Sequence, residues 1–170
     1  MALTIAFLCS SGSSANTQAS YQPKPTSFKE FREYVSSNPG KILVVDLWAT
    51  WCKPCRDRFP IIHRLQDRYK SQGIEFITLS FDDPRDPVAI ALATQFLQEQ
   101  QANYPHFIMK DPMALVFHFL ELEALPAVMI YGQNRQRILK VEATVPTDQL
   151  SERVSNTLDK WLFAEKTPKQ

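Results

Sequence analysis

Cysteine and glycine are scarce in this chain, at three and four residues out of 170. Three cysteines are too few for the disulfide framework of a small secreted scaffold. They are also too few for a four-thiolate zinc site. A dominant charge is missing as well. Nineteen basic residues face 18 acidic ones, for a formal net charge of +1, whereas a nucleic-acid binder usually carries a basic face and a high pI. No apolar run approaches the about 18 residues needed to cross a bilayer. Internal repeats and low-complexity tracts are absent too. What remains is 170 residues with 44% hydrophobic content. That length fits one domain and is enough to bury a sizeable core.

The ends of the chain differ from its middle. Met1 to Cys9 reads MALTIAFLC and is followed by the small, polar SSGSSA. An apolar stretch followed by small residues is the pattern of an export leader or an anchor remnant, with Ser13 and Ala15 suiting cleavage before Asn16. On that basis residues 1–15 are a leader, 16–25 a linker, 26–163 the folded domain and 164–170 a flexible tail. An export leader puts the domain outside the cytoplasm, periplasmic or membrane-anchored. Incidental N-terminal hydrophobicity leaves a cytoplasmic protein as the alternative.

Within the folded region the periodicities alternate. Ser27-Phe-Lys-Glu30 is a capping box, and Phe28, Phe31 and Val35 follow on one helical face. Pro39-Gly40 ends that helix. Lys41 to Trp48 contains the run Ile42-Leu-Val-Val45, the pattern of a central strand covered on both faces. Phe59, Ile62, Leu65 and Tyr69 then share a helical face that stops at Gly73. Ile74 to Phe81 predicts a second strand, and the proline-rich Asp82 to Pro87 a solvated loop. Val88 to Gln101 predicts a helix, Tyr104 to Lys110 a short extended segment and Met113 to Leu120 another helix. Pro126 to Tyr131 and Arg137 to Val145 predict a hairpin turning at Gly132-Gln-Asn134. Leu150, Val154, Leu158, Trp161 and Leu162 form the stripe of a last helix. Early β-α-β units followed by a hairpin imply an α/β fold, a three-layer α/β/α sandwich around a central mixed sheet.

The chemistry concentrates at Cys52-Lys-Pro-Cys55. The pair follows a predicted strand and opens a predicted helix. A spacing of three puts both sulfurs on one helical face, close enough to bridge. A helix N-terminus stabilises a thiolate through its unpaired N–H groups and partial positive charge, and the thiolate is the nucleophile. Cys52 is expected at the exposed tip, and Cys55 one turn inside, poised to resolve a mixed disulfide. Lys53, Arg56 and Arg58 add positive charge, offset only by Asp57, and Pro54 suits the first helical turn. Half of a zinc site lacks its second cysteine pair. A c-type haem site needs histidine where Arg56 stands. A purely structural disulfide is the remaining alternative.

The stretch Asp46-Leu-Trp-Ala-Thr-Trp-Cys-Lys-Pro-Cys55 resembles the active-site segment of the thioredoxin superfamily. Within it, Trp-Cys-Lys-Pro-Cys-Arg with Pro60 downstream, Tyr104-Pro105 leading to Asp111, and Leu125-Pro126 resemble the TlpA/ResA type of extracytoplasmic thiol–disulfide oxidoreductase. The resemblance covers roughly Thr26 to Phe163. It implies a thioredoxin fold with an extra helix-bearing insertion, and a protein-disulfide reductase whose only redox group is the Cys52–Cys55 disulfide. No metal or organic cofactor is implied. Its partners are protein thiols and disulfides, with a membrane thiol–disulfide electron donor if the domain is exported. The implied roles are cytochrome c maturation or extracytoplasmic redox homeostasis, and the expected state is a monomer. The resemblance also implies that Leu125-Pro126 is a cis bond facing the cysteines and that Asp46 assists proton transfer at the inner cysteine. Trp51, Lys53, Pro54, Leu125 and Pro126 become the candidate substrate-binding residues. The alternative reading for Asp46 is a strand-end carboxylate reaching solvent.

The chain departs from these relatives in having Arg58 where they often carry glutamate. Two other functions remain as alternatives: a thiol oxidase or isomerase with an oxidising potential, and a copper(I)-handling module. Thiolates suit copper(I), but copper-delivery relatives of this fold space their cysteines by three residues and add a committed histidine. His63, His106 and His118 are expected to be structural or at the surface.

Overall fold

The computed structural model describes residues 21–37 and 40–166. The expected leader of residues 1–15 with Cys9, residues 16–20 of the expected linker, and residues 167–170 of the expected tail lie outside the described residues.

Six strands form one sheet in the order β1-β4-β3-β2-β5-β6. They are β1 (Lys24–Thr26), β2 (Ile42–Trp48), β3 (Ile74–Ser80), β4 (His106–Met109), β5 (Ala127–Tyr131) and β6 (Arg137–Val141). β1, β4, β3 and β2 run parallel, while β5 is antiparallel to both β2 and β6. The mixed sheet expected from the element order is therefore present. Among the described residues five α-helices cover it: α1 (Phe28–Ser37), α2 (Lys53–Tyr69), α3 (Pro87–Glu99), α4 (Met113–Leu120) and α5 (Thr147–Lys166). α3, between β3 and β4, is the expected insertion.

Every residue of β2 is buried, as a strand covered on both faces requires. Its side chains alternate. Ile42, Val44 and Trp48 enter a core with Phe59, Ile62 and Leu65 of α2, Ala93 and Leu97 of α3, and Leu150, Val154 and Leu158 of α5. Leu43, Val45 and Leu47 enter the opposite core with Phe31 and Val35 of α1 and Val116 and Leu120 of α4. Asp46 has the parity of the first set and so points toward α2.

Local chemistry explains the element ends. The capping box at α1 forms as expected: Ser27 N–H donates to Glu30 Oε2 at 2.6 Å and Glu30 N–H donates to Ser27 Oγ at 3.2 Å. Asp86 caps α3 through the Val88 N–H at 2.8 Å. Gly73 follows the last turn after α2 with a φ of 77°, a left-handed conformation that glycine adopts without a Cβ clash.

Three expectations need correction. Lys24 and Pro25, read as linker, belong to edge strand β1, and Lys110 N–H donates to Thr26 O at 2.8 Å. A three-residue edge strand is too short to show a period of two. Asp82, read as part of a solvated loop, is buried. The apolar patch Phe117, Phe119, Leu120 and Leu122 is expected in the core, yet Phe119 is 57% exposed and stacks on Phe28. Its helix is only eight residues long and shows just one face to the sheet.

Candidate active site

Cys52 and Cys55 are joined by a disulfide, with their Cα atoms 5.3 Å apart. Cys52 is the N-cap of α2. Its Sγ accepts the Cys55 N–H at 3.3 Å, and its carbonyl accepts from Cys55 N–H at 3.1 Å and Arg56 N–H at 3.2 Å. The outer sulfur thus lies against the N–H groups that a helix start leaves unpaired. Cys55 is fully buried, and Cys52 retains slight exposure at 6%. Pro54 occupies the first turn, where its missing N–H costs no helical bond.

Trp51 projects beside the pair and is 59% exposed, whereas Trp48 is fully buried. Trp48 packs with Phe59 and Phe96 at centroid distances of 5.1–5.8 Å, giving the disulfide a rigid aromatic floor. Lys53 is exposed and its Nζ lies 2.6 Å from Asp57 Oδ2, so its charge is answered within the same helix turn.

Leu125–Pro126 is cis, as the resemblance implied. Leu125, Pro126, Pro54 and Arg58 line one small cavity of about 130 Å³, closed on its far side by residues around β6 and the start of α5. Three of the expected residues thus gather at one cavity: Pro54, Leu125 and Pro126. Trp51 stands apart, flanking a second groove with Val88, Leu92 and Met113.

Asp46 is fully buried and does not reach solvent. Its Oδ1 lies 2.6 Å from Arg58 Nη2, a buried ion pair. Arg58 was expected to add positive charge near Cys52. It is instead only 3% exposed, and its Nη2 also donates to Ala127 O at 2.8 Å and Leu47 O at 3.4 Å. The reason is helical geometry: Arg58 is three residues after Cys55 and four before Ile62, so it shares their inward face. Burial raises the Asp46 carboxyl above its ordinary value, and the Arg58 charge works against that rise. Arginine keeps its proton under such conditions, and its charge at 2.6 Å favours the ionised form of Asp46.

Two important residues escaped the sequence reading. Arg58 carried a signal, because its position falls within the apolar stripe of α2. Asp82 carried none. Its carboxylate accepts the Thr50 N–H at 3.0 Å, the Thr50 hydroxyl at 2.6 Å and the Ser80 hydroxyl, and Thr50 is 32 residues away. His106 is buried between Thr78 Oγ1 at 2.8 Å and Ala102 O at 2.7 Å, a structural place as expected. His63 is on α2 and pairs with Asp67 at 3.7 Å.

A family model described as thioredoxin-like matches residues 40–137, which takes in both cysteines, Asp46, Arg58 and the cis-proline. The chain belongs to the thioredoxin-like family. This thioredoxin-like chain is 31% identical over 116 residues to the thiol-disulfide oxidoreductase ResA of Oceanobacillus iheyensis, covering 68% of this chain and 57% of that protein. It is 27% identical to ResA of Geobacillus kaustophilus, covering 64% and 59%. It therefore spans less than two thirds of the length of these curated relatives. Among solved structures it resembles a DsbE-type thiol:disulfide interchange protein from Chlorobium tepidum, with a TM-score of 0.61, 23% identity, and coverage of 75% and 84%. The thioredoxin domain of a thiol-disulfide oxidoreductase from Bacteroides vulgatus gives a TM-score of 0.58 at 19% identity, covering 71% and 81%. These two likenesses establish the thioredoxin fold. Among the described residues no helix is long and apolar enough to cross a membrane.

Proposed function

We propose that this thioredoxin-like domain is a thiol–disulfide oxidoreductase that reduces protein disulfides. The observation that carries the reading is the Cys52–Cys55 disulfide at the N-terminus of α2, with the outer sulfur at the N-cap and the inner one fully buried. In the reduced domain the Cys52 thiolate attacks one sulfur of a client disulfide. That bond breaks, the departing client sulfur leaves as a thiolate and takes a proton, and Cys52 is held to the client in a mixed disulfide. Cys55 then attacks Cys52 Sγ, and the second client sulfur leaves. The client has gained two electrons and the domain has lost them to its own disulfide. A dithiol donor restores the domain by the reverse exchange.

Asp46 takes the proton from Cys55 in the second step. It stands on the strand beneath α2, and a buried carboxylate whose affinity for protons is raised suits general-base work. Leu125 and Pro126, beside Pro54, are suited to receive the extended client backbone, and Trp51 and Lys53 flank it from the exposed side. Electrons pass between sulfurs throughout, so the reaction calls for no metal or organic cofactor. The apolar start of the chain and the likeness to ResA support work outside the cytoplasm, with a membrane dithiol protein as donor and oxidised exported proteins, apocytochrome c among them, as clients.

Reduction of insulin followed by turbidity, with dithiothreitol as donor, tests the activity. Acceleration over the donor alone, lost in Cys52→Ser, is the expected result. The reduction potential of the Cys52/Cys55 couple, from equilibration with glutathione, tests the direction. A value near the oxidising end of the family range, about −120 mV, would overturn the reductase assignment in favour of an oxidase.

A further inference from the structure

Burying a guanidinium is costly unless its charge and its N–H groups find partners. Arg58 answers that cost with three acceptors on two strands: Asp46 Oδ1 and Leu47 O on β2, and Ala127 O at the start of β5. The carbonyl of Ala127 belongs to the residue directly after cis-Pro126. A single side chain therefore ties the buried acid to the strand that opens with the proline. The arrangement is also asymmetric. Oδ1 of Asp46 is engaged by Arg58, whereas Oδ2 is buried with no hydrogen-bond partner among the described residues. Cys55 lies one helical turn before Arg58 on the same inward face.

Resting on the reductase reading above, we propose that Arg58 is a positioning residue for the resolving step: it anchors Asp46 through Oδ1 and holds Oδ2 free, ionised and aimed at the Cys55 side. When Cys55 attacks Cys52 Sγ, the Cys55 proton passes to Asp46 Oδ2 and the Cys52–client bond breaks. The bonding pair departs on the client sulfur, which takes a proton from solvent. Arg58 exchanges no proton or electron; it sets where the accepting oxygen lies and keeps it charged.

The groups facing Asp46 are few. From α2 comes Arg58, with Cys55 one turn before it on the same inward face. From the approach to β4 comes the Tyr104 hydroxyl, which is raised by burial and then by the Asp46 charge, and stays neutral. The strand neighbours are Thr78 on β3 and Val128 on β5, neither of which is charged. The Arg58 guanidinium is thus the facing group that opposes protonation of Asp46, while burial favours it. Removing that charge leaves burial unopposed, so Asp46 takes its proton at a higher pH and the resolving step loses its base.

The test compares wild type, Arg58→Met, Arg58→Lys, Asp46→Asn and the Arg58→Met/Asp46→Asn double variant, each as the full chain. Single-turnover reduction of insulin by the pre-reduced protein is recorded across pH, and the Asp46 carboxyl is titrated by ¹³C NMR in the reduced state. In Arg58→Met the acid limb and the carboxyl midpoint both move up by about one pH unit, a roughly tenfold loss of rate on that limb. Arg58→Lys keeps the charge and stays near wild type. Asp46→Asn is slow without the limb, and the double variant is no slower than Asp46→Asn alone. An unchanged carboxyl midpoint in Arg58→Met overturns the proposal, as does a double variant in which the two losses multiply. If Arg58→Met fails to fold, an upward-shifted limb in Arg58→Gln supports the proposal, and an Arg58→Gln limb identical to wild type overturns it. Wild-type protein that leaves insulin intact would sink the reductase reading instead, and the NMR midpoint still decides the role of Arg58.

Discussion

Asp82 accepts both the backbone N–H and the hydroxyl of Thr50, and so clips the end of β3 to the loop that carries Trp51 and Cys52. The Ser80 hydroxyl holds the same carboxylate from behind, and Phe81 N–H donates to Trp48 O at 2.9 Å. The approach to the outer cysteine is therefore fixed from the neighbouring strand as well as by α2.

Breaking that clip has a measurable cost. Asp82→Ala leaves the half-buried Thr50 N–H without its acceptor, and hydrogen bonds to charged groups are worth about 1.5–3 kcal/mol each. Urea unfolding should show a loss of roughly 2–4 kcal/mol. In a double-mutant cycle with Thr50→Val, the two effects should overlap by about 1 kcal/mol or more. Strict additivity would mean that the two residues do not act together.

The two cysteines should separate chemically. Cys55→Ser leaves the attacking sulfur and removes the resolving one, so a client with an accessible disulfide accumulates as a covalent adduct at Cys52. A reductant-sensitive band on a non-reducing gel detects it. Cys52→Ser should yield no such band, because Cys55 is fully buried.

Stability should depend on the His106 ring in mildly acidic solution. Burial pulls it from 6.5 down to about 4. Below pH 6.5 the unfolded chain binds a proton that the folded chain refuses, so stability falls with pH until about 4, where the folded ring is protonated too. The loss over that window is on the order of 3 kcal/mol. His106→Gln should flatten that part of the stability–pH curve, as read from denaturant midpoints at each pH. An equal slope in the variant would assign the acid sensitivity elsewhere.

Packing beneath the disulfide should matter far more than the exposed rings. Phe59 is fully buried between Trp48 and Phe96, and Phe59→Ala should cost about 3–5 kcal/mol. Phe119, more than half exposed on α4, should cost under about 1 kcal/mol as alanine. Thermal unfolding of the two variants side by side reads the difference.

Much of this molecule is written in short-range pattern. The all-apolar run of β2, the capping box of α1, the bounds of α4 and the stripe of α5 are each set by neighbours within a few residues. So is the cysteine pair, because two sulfurs three residues apart at a helix start meet without help from the rest of the chain. β1 was not legible, since three residues at a sheet edge carry no period and are defined by pairing with β4. The exposure of Phe119 was not legible either, because apolar character alone does not tell which face of a short helix meets the sheet.

Sequence by itself determined the fold class, the position of the cysteines at a strand–helix junction and the helix N-terminus at the outer sulfur, all of them consequences of local spacing. Tertiary structure alone decided what surrounds them. Asp46 read as a proton-transfer candidate and Arg58 as one more charge near Cys52 until the fold brought them to 2.6 Å, and Asp82 read as loop until Thr50 met it from 32 residues away. A buried charge takes its meaning from the partners and the dielectric around it, and those are supplied by segments distant in sequence.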